Sequence, residues 1–193
     1  LTQEELLEEF SRMNNELINA RRDLIRLNRE LQEASRVDPL TGLRNRRAFD
    51  ELADQHCKVS RRSGSVFAIL FFDLDDFKRI NDRFGHSAGD EALKAAADLL
   101  SLCFRAGDIL SRRGGDEFVA LQANTGPGSV DAFVGRLRKT VADWNEASGK
   151  PWKIEFSIGR AVFDPSTNES LEDIVDRADR AMYEDKGRKR ARA

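Results

Sequence analysis

Residues 66–72 read VFAILFF, an uninterrupted apolar run, and the next four residues are DLDD. An apolar run of this kind is the pattern of a strand buried in a core, with no solvent face toward which to alternate. Successive side chains of a strand point to opposite faces, so Asp73 and Asp75 share one face and Leu74 points away. Carboxylates emerging from so apolar a strand have few structural reasons to be there. Strand ends that lead into helices also supply backbone N–H groups for phosphates.

A second acidic feature lies further along, in SRRGGDEFVAL at 111–121. Gly-Gly between two strand-like segments is a hairpin turn, because glycine reaches positive φ at no steric cost. Asp116 and Glu117 then stand side by side at its tip. If the hairpin lies beside the 66–72 strand, these acids approach Asp73. Clustered carboxylates repel one another unless a cation sits among them. Oxygen ligands suit Mg²⁺ or Mn²⁺, and two such ions clamp a phosphoryl displacement. On this reading Gly114 and Gly115 leave room for a nucleotide. The competing reading is a capped turn with solvated acids.

The first 36 residues have a different character. They hold no Gly or Pro, and Leu6, Phe10, Met13, Leu17, Ala20, Leu24, Leu27, Leu31 and Ala34 step in a 4-3-4-3 pattern. With Phe10, Leu17, Leu24 and Leu31 at heptad position a, the others fall at d, which is a coiled-coil signature. Glu9, Glu16, Asp23 and Glu30 take position g, and Arg21 at e faces Glu16 of a parallel partner. Such a helix is about 50 Å long. The alternative is an amphipathic helix folded back on its own domain. VDPLTGLRNRRAF (37–49) marks the joint: Pro39 disfavours helix at Asp38, Gly42 marks a turn, and Asn45 is placed to cap the next helix.

Beyond the joint a helix is expected over 46–62, then the buried strand, then a helix from about Asp76 with Phe77, Ile80 and Phe84 on one face. FGHSAGD (84–90) reads as a turn, and 91–104 as an amphipathic helix. The hairpin follows, then a helix over 129–147, a strand over 152–163 and a helix over 170–190 with a basic tail. This order predicts an α+β fold, a mainly antiparallel sheet with helices packed on it, of ferredoxin-like type. The expected division is a coiled-coil helix over 1–36 and a domain over 37–193.

A net charge of −2 across 193 residues argues against a general nucleic-acid or membrane-surface binder. No apolar run approaches the ~20 residues of a membrane span, and no signal peptide is visible. Cys57 and Cys103 lack metal-type spacing, which predicts free thiols in a reducing, cytoplasmic setting. The chain starts at Leu1 and is expected to be a fragment of a longer protein.

Three motifs now carry a resemblance. GGDEF (114–118) is similar to the signature of the GGDEF family, the diguanylate cyclases. DPLTGLRNRR (38–47) resembles that family's D-x-L-T-G-L-x-N-R-R motif, and DLDDFKRINDRFGHSAGD (73–90) matches D-x-D-x-F-K-x-I-N-D-x-F-G-H-x-x-G-D throughout. The resemblance covers about residues 37–190. It implies a polymerase-palm type nucleotidyl cyclase fold that condenses two GTP into cyclic di-GMP with release of two pyrophosphates. Each protomer of a homodimer would hold one GTP, and each 3′-hydroxyl would attack the other's α-phosphate.

Carried over by motif position, Asp73 and Asp116 would be metal ligands with the Leu74 carbonyl beside them. Two Mg²⁺ or Mn²⁺ ions per site are implied. Asp116 would be general base, Glu117 would complete the acidic cluster, and Lys78 would meet phosphate charge. Asn81 and Asp90 would read guanine, whose N1–H and N2–H₂ donors match an acceptor-only carboxylate. His86 would neighbour the substrate pocket. Three of these have a plainer reading: Lys78 as a solvated lysine, Asp90 as the cap of the helix beginning at Glu91, His86 as a locally packed turn residue.

Arg105 and Asp108 sit where the family has its inhibitory R-x-x-D, which binds product; elsewhere such a pair is a surface ion pair. The tail departs from the family's Y-x-A-K-x-x-G-R-N. YEDKGRKRA (183–191) keeps Tyr183, Lys186 and Arg190 but has Lys189 for Gly and Ala191 for Asn. Lys186 and Arg190, four apart, would clamp the triphosphate, or simply complement the helix dipole. The leading expectation is a cyclase whose coiled coil sets dimer geometry and relays a signal from an upstream sensor domain missing from this fragment. The alternatives are a non-catalytic receptor for cyclic di-GMP using Arg105 and Asp108, and a structural dimerisation module.

Overall fold

The structure is a computed structural model that describes residues 3–34, 36–126 and 128–191. Within the first helix, side chains are described for residues 9–27 and 30, so the stripe residues Leu6, Leu31 and Ala34 lie outside them. By its contacts the chain divides into two units, residues 1–36 and 37–193.

The first unit is the helix α1 (Gln3–Ala34). Along it the stripe residues Phe10, Met13, Leu17 and Leu24 are exposed. Arg12 pairs with Glu16 at 3.8 Å, and Arg26 with Asp23 and Glu30 at 3.6 and 3.8 Å, all within one helix face. Exposed i,i+3 and i,i+4 pairs of this sort add about 0.3–0.5 kcal/mol each to helix stability.

The second unit runs β1 (Arg44–Asn45), α2 (Arg46–Ser63), β2 (Phe67–Leu74), α3 (Phe77–Phe84), α4 (His86–Cys103), β3 (Ile109–Gly114), β4 (Glu117–Gln122), α5 (Ser129–Ala147), β5 (Phe156–Phe163), α6 (Leu171–Arg190). The five strands form one sheet in the order β1-β3-β4-β2-β5. Among the described residues, only the short β1–β3 pairing is parallel. The mixed α+β fold with a mainly antiparallel sheet is as the element order predicts.

All eight residues of β2 are buried. Ala68, Leu70, Phe72 and Leu74 pack with residues of α3, α4 and α5 on one face. Phe67, Ile69 and Phe71 pack with α2 and α6 on the other. That two-sided cover is why the run is apolar without alternation.

Two boundaries differ from expectation. The turn at 84–90 shrinks to Gly85, at φ 87°, and α4 begins at His86. Asp90 therefore lies inside α4 and does not cap it. The last strand starts at Phe156 rather than Trp152. The Asn145 side chain explains this: its Oδ1 accepts from Ile154 N at 2.8 Å and its Nδ2 donates to Ile154 O at 2.7 Å. Ile154 thus takes both its hydrogen bonds from a helix side chain instead of a strand.

Candidate active site

The hairpin lies beside β2. Asp73 stands opposite Glu117 in the β2–β4 register, and Leu74 N donates to Asp116 O at 3.1 Å. Gly114 (φ 146°) and Gly115 (φ 54°) make the tip, with open space where a side chain would stand. A bulge between Arg112 and Gly114 turns the strand at this point.

Arg112 anchors the tip. Its Nε and Nη2 donate to the Gly115 carbonyl at 3.0 and 2.7 Å, and its Nη1 donates to Asp38 Oδ1 and Oδ2 at 3.1 and 3.2 Å. Asp38 also accepts from Thr41 N at 2.9 Å and Thr41 Oγ1 at 2.6 Å. Burial acts to raise the Asp38 pKa, but the Thr41 and Arg112 hydrogen bonds outweigh it and hold the carboxyl below its ordinary value. The joint at 37–49 is thus also the support of the hairpin. Asn45 caps α2, its side chain accepting from Ala48 N at 3.0 Å, as its position predicts.

The acids crowd together where the end of β2 meets the hairpin tip. Asp73, 6% exposed, accepts from Lys186 Nζ at 2.6 Å. Burial raises its pKa, Lys186 opposes the rise, and the neighbouring charges of Asp116 and Asp75 add to it. Glu117 is raised by burial and then by the charges of Asp179, Asp73 and Asp116, with Arg113 opposing. Beside them a cleft of about 460 Å³ is lined by Leu74, Asp76, Phe77, Lys78, Arg79, Asp82, Arg83, Asp116, Lys186 and Arg190. That volume falls in the range of small-ligand pockets.

Of the candidate residues, the cleft brings together Leu74, Lys78, Asp116, Lys186 and Arg190. Asp73 lies beneath, joined to it through Lys186. Asn81 sits against α4, where a methyl group on Gly89 would come within 1.9 Å of its Oδ1, beside the exposed Asp90. Asn81, His86, Asp90, Gly114, Gly115 and Glu117 do not line this cleft. Arg105 and Asp108 lie at the opposite end of the hairpin. Asp108 accepts from Arg105 N at 2.9 Å and Ala123 N at 3.1 Å, and the Arg105 residue is exposed.

Sequence reasoning did not single out Arg79 and Arg83, which share α3 with Lys78 and line the cleft. It also missed Arg112.

Among the described residues no group of three His, Cys, Asp or Glu side chains is arranged to hold a metal ion. The available donors are nevertheless all oxygens: the Asp73 and Asp116 carboxylates and the Leu74 carbonyl. Their chemistry fits a hard divalent cation, and the upward pressure on Asp73 and Glu117 is of the kind that a cation relieves.

Sheet, helical layers and cleft define a class: a mixed α+β domain with a cationic, acid-floored pocket at its strand ends. Residues 35–192 match the family described as diguanylate cyclase, GGDEF domain. The chain belongs to that family.

It is 34% identical over 183 residues to the cyclic di-GMP phosphodiesterase NbdA of Pseudomonas aeruginosa, covering 95% of this chain and 23% of that protein. It is 40% identical over 148 residues to the diguanylate cyclase DgcP of the same organism, covering 76% of this chain and 22% of that protein. The chain therefore spans less than a quarter of either relative. It is similar in structure to the coiled coil and GGDEF domain of DgcB from Caulobacter crescentus in complex with c-di-GMP. There the TM-score is 0.71 at 26% identity, over 90% of this chain and 94% of that one. No described helix is long and apolar enough to cross a membrane.

Proposed function

We propose that the domain is a diguanylate cyclase that condenses two GTP into cyclic di-GMP and two pyrophosphates. The observation that carries this reading is the cleft itself. Asp116, the Leu74 backbone, Lys78, Lys186 and Arg190 reach it from the hairpin, β2, α3 and α6, and each sits at a motif position of a family to which the chain belongs.

Asp73, the Leu74 carbonyl and Asp116 would hold Mg²⁺ or Mn²⁺, two per site by family pattern. When bound, such ions neutralise phosphate charge and favour ionisation of a hydroxyl. The chain's own groups do the rest. Asp116 takes the proton of the attacking 3′-hydroxyl. Lys78 meets charge that grows on the transferring phosphoryl group, and Lys186 and Arg190 hold the triphosphate. Asn81 and Asp90 read guanine, Glu117 keeps the floor of the site acidic, and Gly114 and Gly115 let the nucleotide approach the backbone. His86 borders the base.

Each of the two new ester bonds joins one nucleotide's 3′-oxygen to the other's α-phosphorus and expels pyrophosphate. One cleft holds one GTP, so two protomers must face each other. The exposed stripe of α1 supports a homodimer set by a coiled coil, with an upstream sensor acting through it. Arg105 and Asp108 form the product-binding inhibitory site, since Asp108 fixes the turn that presents the exposed Arg105 residue.

Asp116→Ala is the test. It should abolish cyclic di-GMP formation from GTP, read by chromatography, while leaving the fold and product binding intact. Turnover within a few-fold of the parent chain would contradict the assignment.

A further inference from the structure

The family's tail motif has glycine where this chain has Lys189. Lys189 Nζ donates to Asp75 Oδ2 at 2.6 Å and to the Phe156 carbonyl at 2.5 Å. The other oxygen of the same carboxylate, Asp75 Oδ1, accepts from the fully buried Ser157 Oγ at 2.5 Å. Asp75 N donates to Glu155 O at 2.8 Å. One carboxylate therefore joins three elements: the residue just past β2, the start of β5 and the last turn of α6. The pair is partly shielded from water, with the Lys189 and Asp75 side chains 37% and 16% exposed.

Asp75 adjoins Leu74 and Asp73, the donors assigned above. Lys186, one helical turn before Lys189, already grips Asp73 at 2.6 Å. The end of α6 thus holds the end of β2 by two carboxylates. Glycine at 189 has no side chain for the second grip and would leave Asp75 with Ser157 alone. Lys189 does not line the cleft, whereas Lys186 and Arg190 do, so it acts through Asp75 rather than on substrate.

We propose that Lys189 is a positioning residue for the reaction: through Asp75 it fixes the carboxyl end of β2, and with it the Asp73 carboxylate and the Leu74 carbonyl. The proposal rests on the cyclase reading for its kinetic consequence only. Reacting groups displaced by about 1 Å can lose on the order of a hundredfold in rate, so a strut at this point has leverage.

The test compares the full chain with Lys189→Met, which keeps most of the stem and removes the charge, and Lys189→Arg, which keeps the charge. Three quantities are read: amide hydrogen exchange over residues 73–76, Mn²⁺ binding by electron paramagnetic resonance, and kcat against KM for GTP. Lys189→Met should speed exchange and lower kcat by about tenfold, weaken Mn²⁺ binding severalfold, and leave KM within about twofold. Lys189→Arg should stay near the parent in all three. Parent-like exchange and Mn²⁺ affinity in Lys189→Met would overturn the proposal. If the parent chain makes no cyclic di-GMP, the cyclase reading fails, and exchange and Mn²⁺ binding still decide the role of Lys189. If Lys189→Met does not fold, Asp75→Asn gives the same two readouts with the same expected direction.

Discussion

Arg112 donates to the carbonyl of Gly115 and to both oxygens of Asp38, from a side chain only 12% exposed. Removing one member of a buried pair leaves the other charged and unpaired, which costs about 3–5 kcal/mol. Arg112→Ala should lower stability by about 3 kcal/mol in urea unfolding, and turnover should fall with it because the hairpin tip loses its anchor. Asp38 adds a pH signature. Its folded pKa is depressed, so its contribution is present above the unfolded value of 3.8 and is lost as pH falls through the folded value.

Asp73 and Glu117 have the opposite sign. Their folded values are raised, so without a cation stability falls as pH rises from the unfolded values of 3.8 and 4.5 through the folded ones. Glu117→Gln should therefore raise the melting temperature at neutral pH while reducing activity, and Mg²⁺ should bind more tightly as pH rises through the same window. A melting temperature that drops in Glu117→Gln would contradict the repulsion argument. The acids Asp73 and Asp116 stood out in the sequence, one at the end of an apolar strand and one at a Gly-Gly hairpin tip, whereas Lys78 entered only through the motif resemblance, since alone it reads as a solvated helix lysine. Arg112 and Lys189 were not. An arginine near a turn and a lysine in a basic tail look solvated until the tertiary fold supplies their acceptors.

At the scale of elements, α6 lies directly on β5. A Cβ on Gly159 would fall 1.9 Å from the Ala178 carbonyl oxygen and 2.2 Å from Met182 N, both backbone atoms that cannot step aside. Gly159→Ala should cost about 3 kcal/mol or more and displace the helix that carries Lys186, Lys189 and Arg190. Calorimetry checks the first effect, and a loss of GTP turnover larger than the melting shift explains checks the second. Near-parent stability would show that the layers separate more easily than their packing indicates.

Most elements were readable from periodicity: β2 from its unbroken apolar run, α5 and α6 from helical spacing. Two features were not. The break between α3 and α4 is a single glycine, with Ser87, Ala88 and Gly89 already helical beyond it, although a Gly- and Ser-containing stretch reads as a turn. The start of β5 depended on Asn145, whose amide captures Ile154 from the end of the preceding helix, α5. The β2–β4 register that brings Asp73 opposite Glu117 is likewise a long-range fact, to which local sequence gives only the two partners.

For the molecule as a whole, the reaction proposed needs two nucleotides and each protomer supplies one cleft. In the proposed homodimer the exposed Phe10, Met13, Leu17 and Leu24 of α1 would give a second copy an apolar seam to pack against, worth roughly 0.8 kcal/mol for each CH₂ buried. Activity should then be a property of the dimer. The most direct measurement is cyclic di-GMP formation from GTP with Mg²⁺, resolved by chromatography across a range of protein concentrations with ATP in parallel. The expected result is cyclic di-GMP from GTP, none of the adenine counterpart from ATP, and a specific activity that rises with protein concentration as dimers form. A folded protein that makes no cyclic di-GMP at any concentration, or that cyclises ATP equally well, would contradict it.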